Sequence, residues 1–125
     1  MAKSTNNDVF DAMLDTIALG NRIDVCSAEP TTRTEAISTF TLGNYTMTPG
    51  DGNGDYTVAD GDVSGRKVTV EAQTGNNASA SGTGNHVAIT DGTRLLYVTT
   101  CPNVSTNSGQ PLDIAAWDIE VADPT

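Results

Sequence analysis

Asp51-Gly52-Asn53-Gly54-Asp55, followed by Asp60 and Asp62, is the densest array of oxygen ligands in the chain. A calcium loop draws such oxygens from its first, third, fifth and twelfth positions. Asp51, Asn53, Asp55 and Asp62 stand at those places. The sixth position, where the sharp bend needs glycine, is Tyr56, and no helical pattern flanks the loop. Asp62, with a shorter side chain than the usual terminal glutamate, is also less able to reach an ion bidentately. A tight turn uses the same Asp, Asn and Gly for their backbone behaviour. The expectation is therefore no metal and no cofactor, with these four residues as the one loop that comes near to a metal site.

The remaining chemistry-bearing residues are sparse. His86 is the single histidine, and no Gly-x-Ser-x-Gly elbow accompanies it. It reads as a polar residue beside a turn. Cys26 and Cys101, each at the end of an expected strand, are too far from other ligands in sequence to suggest zinc. They are two small buried hydrophobes or, if the two strand ends are neighbours, a disulfide. Asp118 and Glu120 alternate onto one face of a strand, which reads as a wet face rather than a glycosidase pair. Gly82-Thr83-Gly84-Asn85 lacks the lysine and the following helix of a phosphate cradle. No catalytic residue is assigned, and the chain reads as a non-enzyme.

Charge narrows the partners. The 125 residues carry a net charge of -10, and only Lys3, Arg22, Arg33, Arg66, Lys67 and Arg94 are basic. Nucleic-acid binding needs a cationic track that displaces phosphate counterions. None is present in the sequence, so neither nucleic acid nor an anionic membrane is expected as a partner. The start of the chain is polar, without the apolar run of a secretion signal, so use without secretion is the expectation. Three Asn-x-Ser/Thr triplets, beginning at Asn44, Asn77 and Asn103, then read as chance matches.

The elements that must position these residues are mostly strands. Lys67 to Gln73 alternates, with Val68, Val70 and Ala72 on one face and polar residues on the other. Leu95 to Cys101 is apolar or β-branched on both faces, which predicts an inner strand. Further strands are expected at Arg22–Cys26, around Phe40 to Met47 with a bulge at Gly43-Asn44, at Tyr56–Ala59, around Val87 and Ile89, and at Ile114–Val121. A hairpin is expected near Gly82-Thr83-Gly84, a tight turn at Asp91-Gly92, and a polar loop over Pro102–Pro111. Thr31–Ser38 is a single helical turn or an irregular crossover. Val9, Phe10, Met13, Leu14 and Ile17 form one apolar stripe, so residues 8–19 are a helix capped by Asn7 or Asp8 and stopped at Gly20. That stripe either packs on the protein's own sheet or docks another subunit.

The resulting fold class is all-β: a β-sandwich or open barrel of seven to nine short antiparallel strands with one N-terminal amphipathic helix. It is read as a single domain, 1–125, with a flexible arm at 1–7, the helix at 8–19 and the β-sandwich at 22–121. Val68, Val70, Val87, Ile89, Leu96, Val98, Trp117 and Ile119 are the expected core, with Trp117 its largest piece.

Four strings occur in order over the last half of the chain: Gly65 to Val70, His86 to Ile89, Leu95 to Cys101, and Ala116 to Pro124. In these the chain resembles a group of small structural proteins of tailed-bacteriophage virions. No catalytic motif is among the strings, so no active residue carries over. The resemblance implies a capsid decoration (cement) protein, made in the host bacterial cytoplasm and bound to the outer surface of the capsid. Its partner would be the major capsid protein, and it would commonly be a trimer. A neck, tail or fibre-associated virion component and a small carbohydrate-binding module are the alternatives. The polar start of the chain suits an arm that gains order across a neighbouring subunit. Lys3, Ser4, Thr5, Asn6 and Asn7 are accordingly the candidate partner-binding residues.

Overall fold

The computed structural model describes residues 5–123. It is mostly β, with strands arranged in two antiparallel sheets and one N-terminal helix, as the alternation implies. The chain forms two compact units, each with its own sheet.

The first unit comprises residues 5–19, 48–72 and 115–123 of the described chain. Its helix α1 spans Asn7–Ile17, and its sheet has the order β3-β4-β7, with β3 at Tyr56–Asp60, β4 at Arg66–Val70 and β7 at Trp117–Val121. Val58, Val68 and Ile119 lie opposite one another across the three strands, as do Tyr56, Val70 and Trp117. Phe10, Leu14 and Ile17 bury one side of α1, which packs against β4 and β3. The helix is capped by Asn6, whose Oδ1 accepts the Asp8 N–H at 2.8 Å, one residue earlier than read from the sequence. It ends with Ala18 as C-cap, before Gly20 is reached.

The second unit comprises Gly20–Met47 and Gln73–Ile114. Its sheet has the order β2-β1-β5-β6, where β1 is Arg22–Cys26, β2 Thr41–Thr46, β5 Gly82–Thr90 and β6 Leu95–Thr106. Strand β1 is central and is buried on both faces from Ile23 to Cys26. The crossover from β1 to β2 contains a short π-helical turn, Glu35–Thr39, whose Ala36 packs with Cys26 and Ala88. The expected bulge in β2 sits at Leu42, because Gly43 faces Val25 while Thr41 faces Cys26. The extra residue resets the alternation, so Leu42, Tyr45 and Met47 are all buried.

Three expectations are corrected here. Leu95 to Cys101 is not an inner strand. It begins the edge strand β6, which continues through the supposed loop to Thr106. The edge position is what admits Pro102, since an edge strand has amides that no ladder needs. Pro102 also lies where the register slips, three residues of β6 facing Asn85 alone between the His86–Thr100 and Gly84–Val104 pairs. A bulge and a proline are both devices that blunt a sheet edge. Second, Gly82-Thr83-Gly84 is not a hairpin turn but the start of β5. Gly84 is needed there for closeness: a Cβ on it would meet Val25 Cγ1 at 2.5 Å. Third, Leu96, Val98 and Trp117 are only half-buried, whereas Val68, Val70, Val87, Ile89 and Ile119 are core. The largest fully buried side chain is Tyr56, not Trp117.

The hairpin turn joining β5 to β6 lies at Asp91–Arg94, where the Asp91 carboxylate accepts the N–H groups of Thr93 and Arg94 at 2.8 and 2.6 Å and the Arg94 guanidinium at 2.8 Å. These bonds, the Thr93 amide foremost, hold the Asp91 carboxyl down at about 2. The group's folded value lies below its unfolded one, so what it contributes is present above the unfolded value and lost as pH falls through about 2. NMR titration should find the Thr93 and Arg94 amide shifts constant down to about pH 3 and moving together below it. A midpoint in the ordinary aspartate range would refute the arrangement.

Candidate functional surface

The Asp51–Asp62 loop is built from turns. Gly50, Gly52 and Gly54 all have positive φ, which explains the alternation of glycine with Asp and Asn. These side chains then turn to separate hydrogen-bond partners instead of a common centre. Asp51 Oδ1 accepts the Val58 N–H at 2.8 Å, and Asp55 Oδ2 accepts the Thr48 N–H at 2.6 Å. Asn53 Nδ2 donates to the Pro49 carbonyl at 2.8 Å, and Asp62 pairs with Lys67 Nζ at 2.7 Å. Among the described residues no three His, Cys, Asp or Glu side chains converge as a metal site would require. Asp51 binds an amide of the edge strand β3 and so covers part of that edge.

His86 pairs across the sheet with Cys26 on one side and Thr100 on the other, and its Nδ1 lies 2.6 Å from Asn85 Oδ1. Cys26 and Cys101 are both free thiols. Burial, reinforced by the nearby Asp24 carboxylate, pushes the Cys26 thiol up to about 12, which makes it a poor nucleophile. Its Sγ points to the Ala36 carbonyl at 3.6 Å. Burial also raises the half-exposed Cys101.

The most concentrated polar site was not anticipated from the sequence. Asp24 is fully buried in the middle of β1. Arg22, two residues earlier and so on the same face, grips both its oxygens, with Nε–Oδ1 at 2.7 Å and Nη2–Oδ2 at 2.9 Å. Thr41 Oγ1 donates to Oδ2 at 2.6 Å, and Arg22 Nη2 reaches the Ile37 carbonyl at 3.1 Å. The site therefore ties β1 to β2 and to the crossover above them. The signal in the sequence was an Asp between Ile23 and Val25, preceded at strand spacing by an Arg. The geometry satisfies the carboxylate from two sides, which is what a buried charge requires.

The first unit carries most of the net negative charge. Eleven of the sixteen acidic residues belong to its segments, against three of the six basic ones. Arg66 and Lys67 are adjacent in sequence but alternate to opposite faces of β4, so they form no cationic patch. Arg66 binds Asp11 on the helix at 2.8 Å and Asp60 at 2.7 Å. Lys67 binds Asp62 and Asp118, and Thr69 Oγ1 adds a bond to Asp118 at 2.8 Å. In the other unit Arg94 is held by Asp91, Arg22 by Asp24, and Arg33 donates to the Asp91 carbonyl at 2.8 Å. Every Lys and Arg among the described residues is thus engaged within the chain, and the carboxylates in excess face outward.

The helical stripe divides. Phe10, Leu14 and Ile17 are buried, but Val9 and Met13 are exposed, at 61% and 44%. Of the candidate partner-binding residues, Lys3 and Ser4 lie outside the described residues. Thr5 is half-buried, Asn6 caps the helix and Asn7 begins it, so the last two belong to α1 and not to an arm. Among the described residues no helix is long and apolar enough to cross a membrane. Comparison with protein-family models, curated proteins and solved structures finds no match to this chain.

Proposed function

We propose that this chain is a virion structural protein that decorates the outer surface of a tailed-bacteriophage capsid and stabilises the head. The observation that carries this reading is electrostatic: the described Lys and Arg side chains are spent on internal contacts, and the surface left is acidic. Such a surface binds a basic protein lattice and is repelled by packaged DNA, which favours the outside of the shell. The resemblance over Gly65 to Pro124 supplies the setting, and with it the major capsid protein as partner and a trimer as the assembly. A protein that binds only the assembled lattice stabilises it by mass action, so a few kcal/mol per copy is enough.

Particles assembled without this protein should release DNA at lower temperature than complete particles. Adding the purified protein back should restore retention, less well as salt is raised. Particles that keep their DNA equally well with and without it would remove the decorating role. Copy number then separates the alternatives: a few copies at one vertex or on the tail indicate a neck, tail or fibre-associated component.

A further inference from the structure

Helix α1 has three faces rather than two. At 100° per residue, Phe10, Leu14 and Ile17 fall together, and these are the buried residues. Asp8, Asp11 and Asp15 form a second face, on which Asp11 is taken by Arg66 while Asp8 and Asp15 are exposed. Val9, Ala12, Met13 and Thr16 form the third, and all four are exposed and uncharged. Nothing in the chain's own packing requires Val9 and Met13 to be apolar, since Phe10, Leu14 and Ile17 already anchor the helix to β4 and β3.

We infer that the Val9–Ala12–Met13–Thr16 stripe is a docking surface for another protein whose apolar pocket is bordered by Lys or Arg. Charge decides the occupant. A partner seated on this stripe lies alongside Asp8 and Asp15, so cations at the rim of its pocket are favoured and carboxylates are excluded. A second copy of this chain does not fit that requirement. Among the described residues its Arg22, Arg66, Lys67 and Arg94 are held by its own carboxylates and Arg33 by a backbone carbonyl, and two helices of this kind would bring their acidic faces together. Ala12 lies at the edge of the stripe beside Asp8, and its small side chain leaves room for a partner's cation to approach that carboxylate while Val9 and Met13 enter the apolar pocket, the pattern of an amphipathic helix read by a groove. This inference deepens the decorating role by naming its contact surface, and it rests on that reading for the identity of the partner, though not for the chemistry.

Two measurements separate them. The first uses a synthetic helical peptide with a leucine stripe flanked by lysines, titrated into the full chain. Binding is expected, with a loss of about tenfold or more in the V9Q/M13Q variant and a weakened salt dependence in D8N/D15N. The same peptide with glutamates in place of lysines should not bind. Equal binding by wild type and V9Q/M13Q, or by the two peptides, overturns the inference. So does self-association of the chain, or adhesion to neutral phosphatidylcholine vesicles, that V9Q/M13Q abolishes. Gln is a good helix former and both positions are exposed, so the variants should melt with the wild type. The second measurement repeats the comparison on assembled shells of the major capsid protein. Shells that bind wild type and V9Q/M13Q alike place the capsid contact elsewhere and overturn the helix as its surface. Shells that bind neither, with the lysine peptide still discriminating, remove the decorating role and leave the docking chemistry standing.

Discussion

Replacing Arg22 with Met is expected to destabilise the protein by about 3–5 kcal/mol, because it strands a carboxylate inside a central strand. Asp24 is fully buried and takes two bonds from Arg22 and one from Thr41. Without Arg22 only the Thr41 hydroxyl remains to a charge that water does not reach. The converse change, Asp24→Asn, should cost less. Arg22 keeps part of its side chain in water, and an amide in the same place can still accept from Thr41. Against a total stability of about 5–15 kcal/mol, Arg22→Met brings the domain close to its unfolding limit. A fall of about 10–20 °C in the melting temperature is the corresponding reading. The triple change Arg22→Met, Asp24→Leu, Thr41→Val removes every member of the network together and should recover most of the loss, as buried ion pairs exchanged whole for apolar groups commonly do. Urea denaturation of the three variants decides the matter. If Arg22→Met lies within about 1 kcal/mol of wild type, the buried pair does not have the role given to it here.

Gly65→Ala should produce the second large effect, through a clash that the backbone cannot relieve. Gly65 has φ +70, just before β4 begins. A Cβ placed on it runs into the Val121 carbonyl oxygen and comes within 2.9 Å of the Val121 carbonyl carbon and 3.0 Å of Ala122 Cα. Val121 is the last residue of β7 and pairs with Arg66. Gly52→Ala is the control. Its φ is +80, and a Cβ there meets nothing within 4 Å, so it tests the backbone conformation alone. The left-handed conformation costs a non-glycine residue about 1–2 kcal/mol, and Gly52→Ala should lose that much. Gly65→Ala should lose about 2–4 kcal/mol, the excess being the displacement of β7 from β4. Amide exchange gives the local readout: protection should fall along Trp117 to Val121 in Gly65→Ala and stay unchanged there in Gly52→Ala. Equal losses in the two variants would mean that the close approach to Val121 carries no weight.

Local pattern made much of this protein legible. The alternation in Val68–Val70 and Trp117–Val121 predicts two strands with one wet face each, and Lys67, Asp118 and Glu120 do lie on the polar side. The apolar residues at helical spacing from Val9 to Ile17 predict α1, and the Asp91-Gly92 pair predicts the β5–β6 turn. These hold because each depends on residues within a few positions of one another. The Gly-Asn-Gly-Asp series after Pro49 was legible as a turn for the same reason.

Short-range pattern thus settles the class of element at most positions, the acidic balance and the side of each strand that is wet. Tertiary structure decided which strand neighbours which. Leu95 to Cys101 has the composition of an inner strand and is an edge, because hydrophobicity records contact with apolar surface and not the number of strands alongside. The same ordering put Asp24 between β2 and β5, where its charge had to be met by Arg22 and Thr41. Side-chain packing left Tyr56 rather than Trp117 as the largest fully buried side chain. It also assigned half of one helical stripe to the sheet and left Val9 and Met13 outside. Pairing joins residues far apart in the chain, such as Val68 with Ile119 or Arg33 with Asp91, and the free energy that selects among such pairings lies in the assembled whole rather than in any one segment.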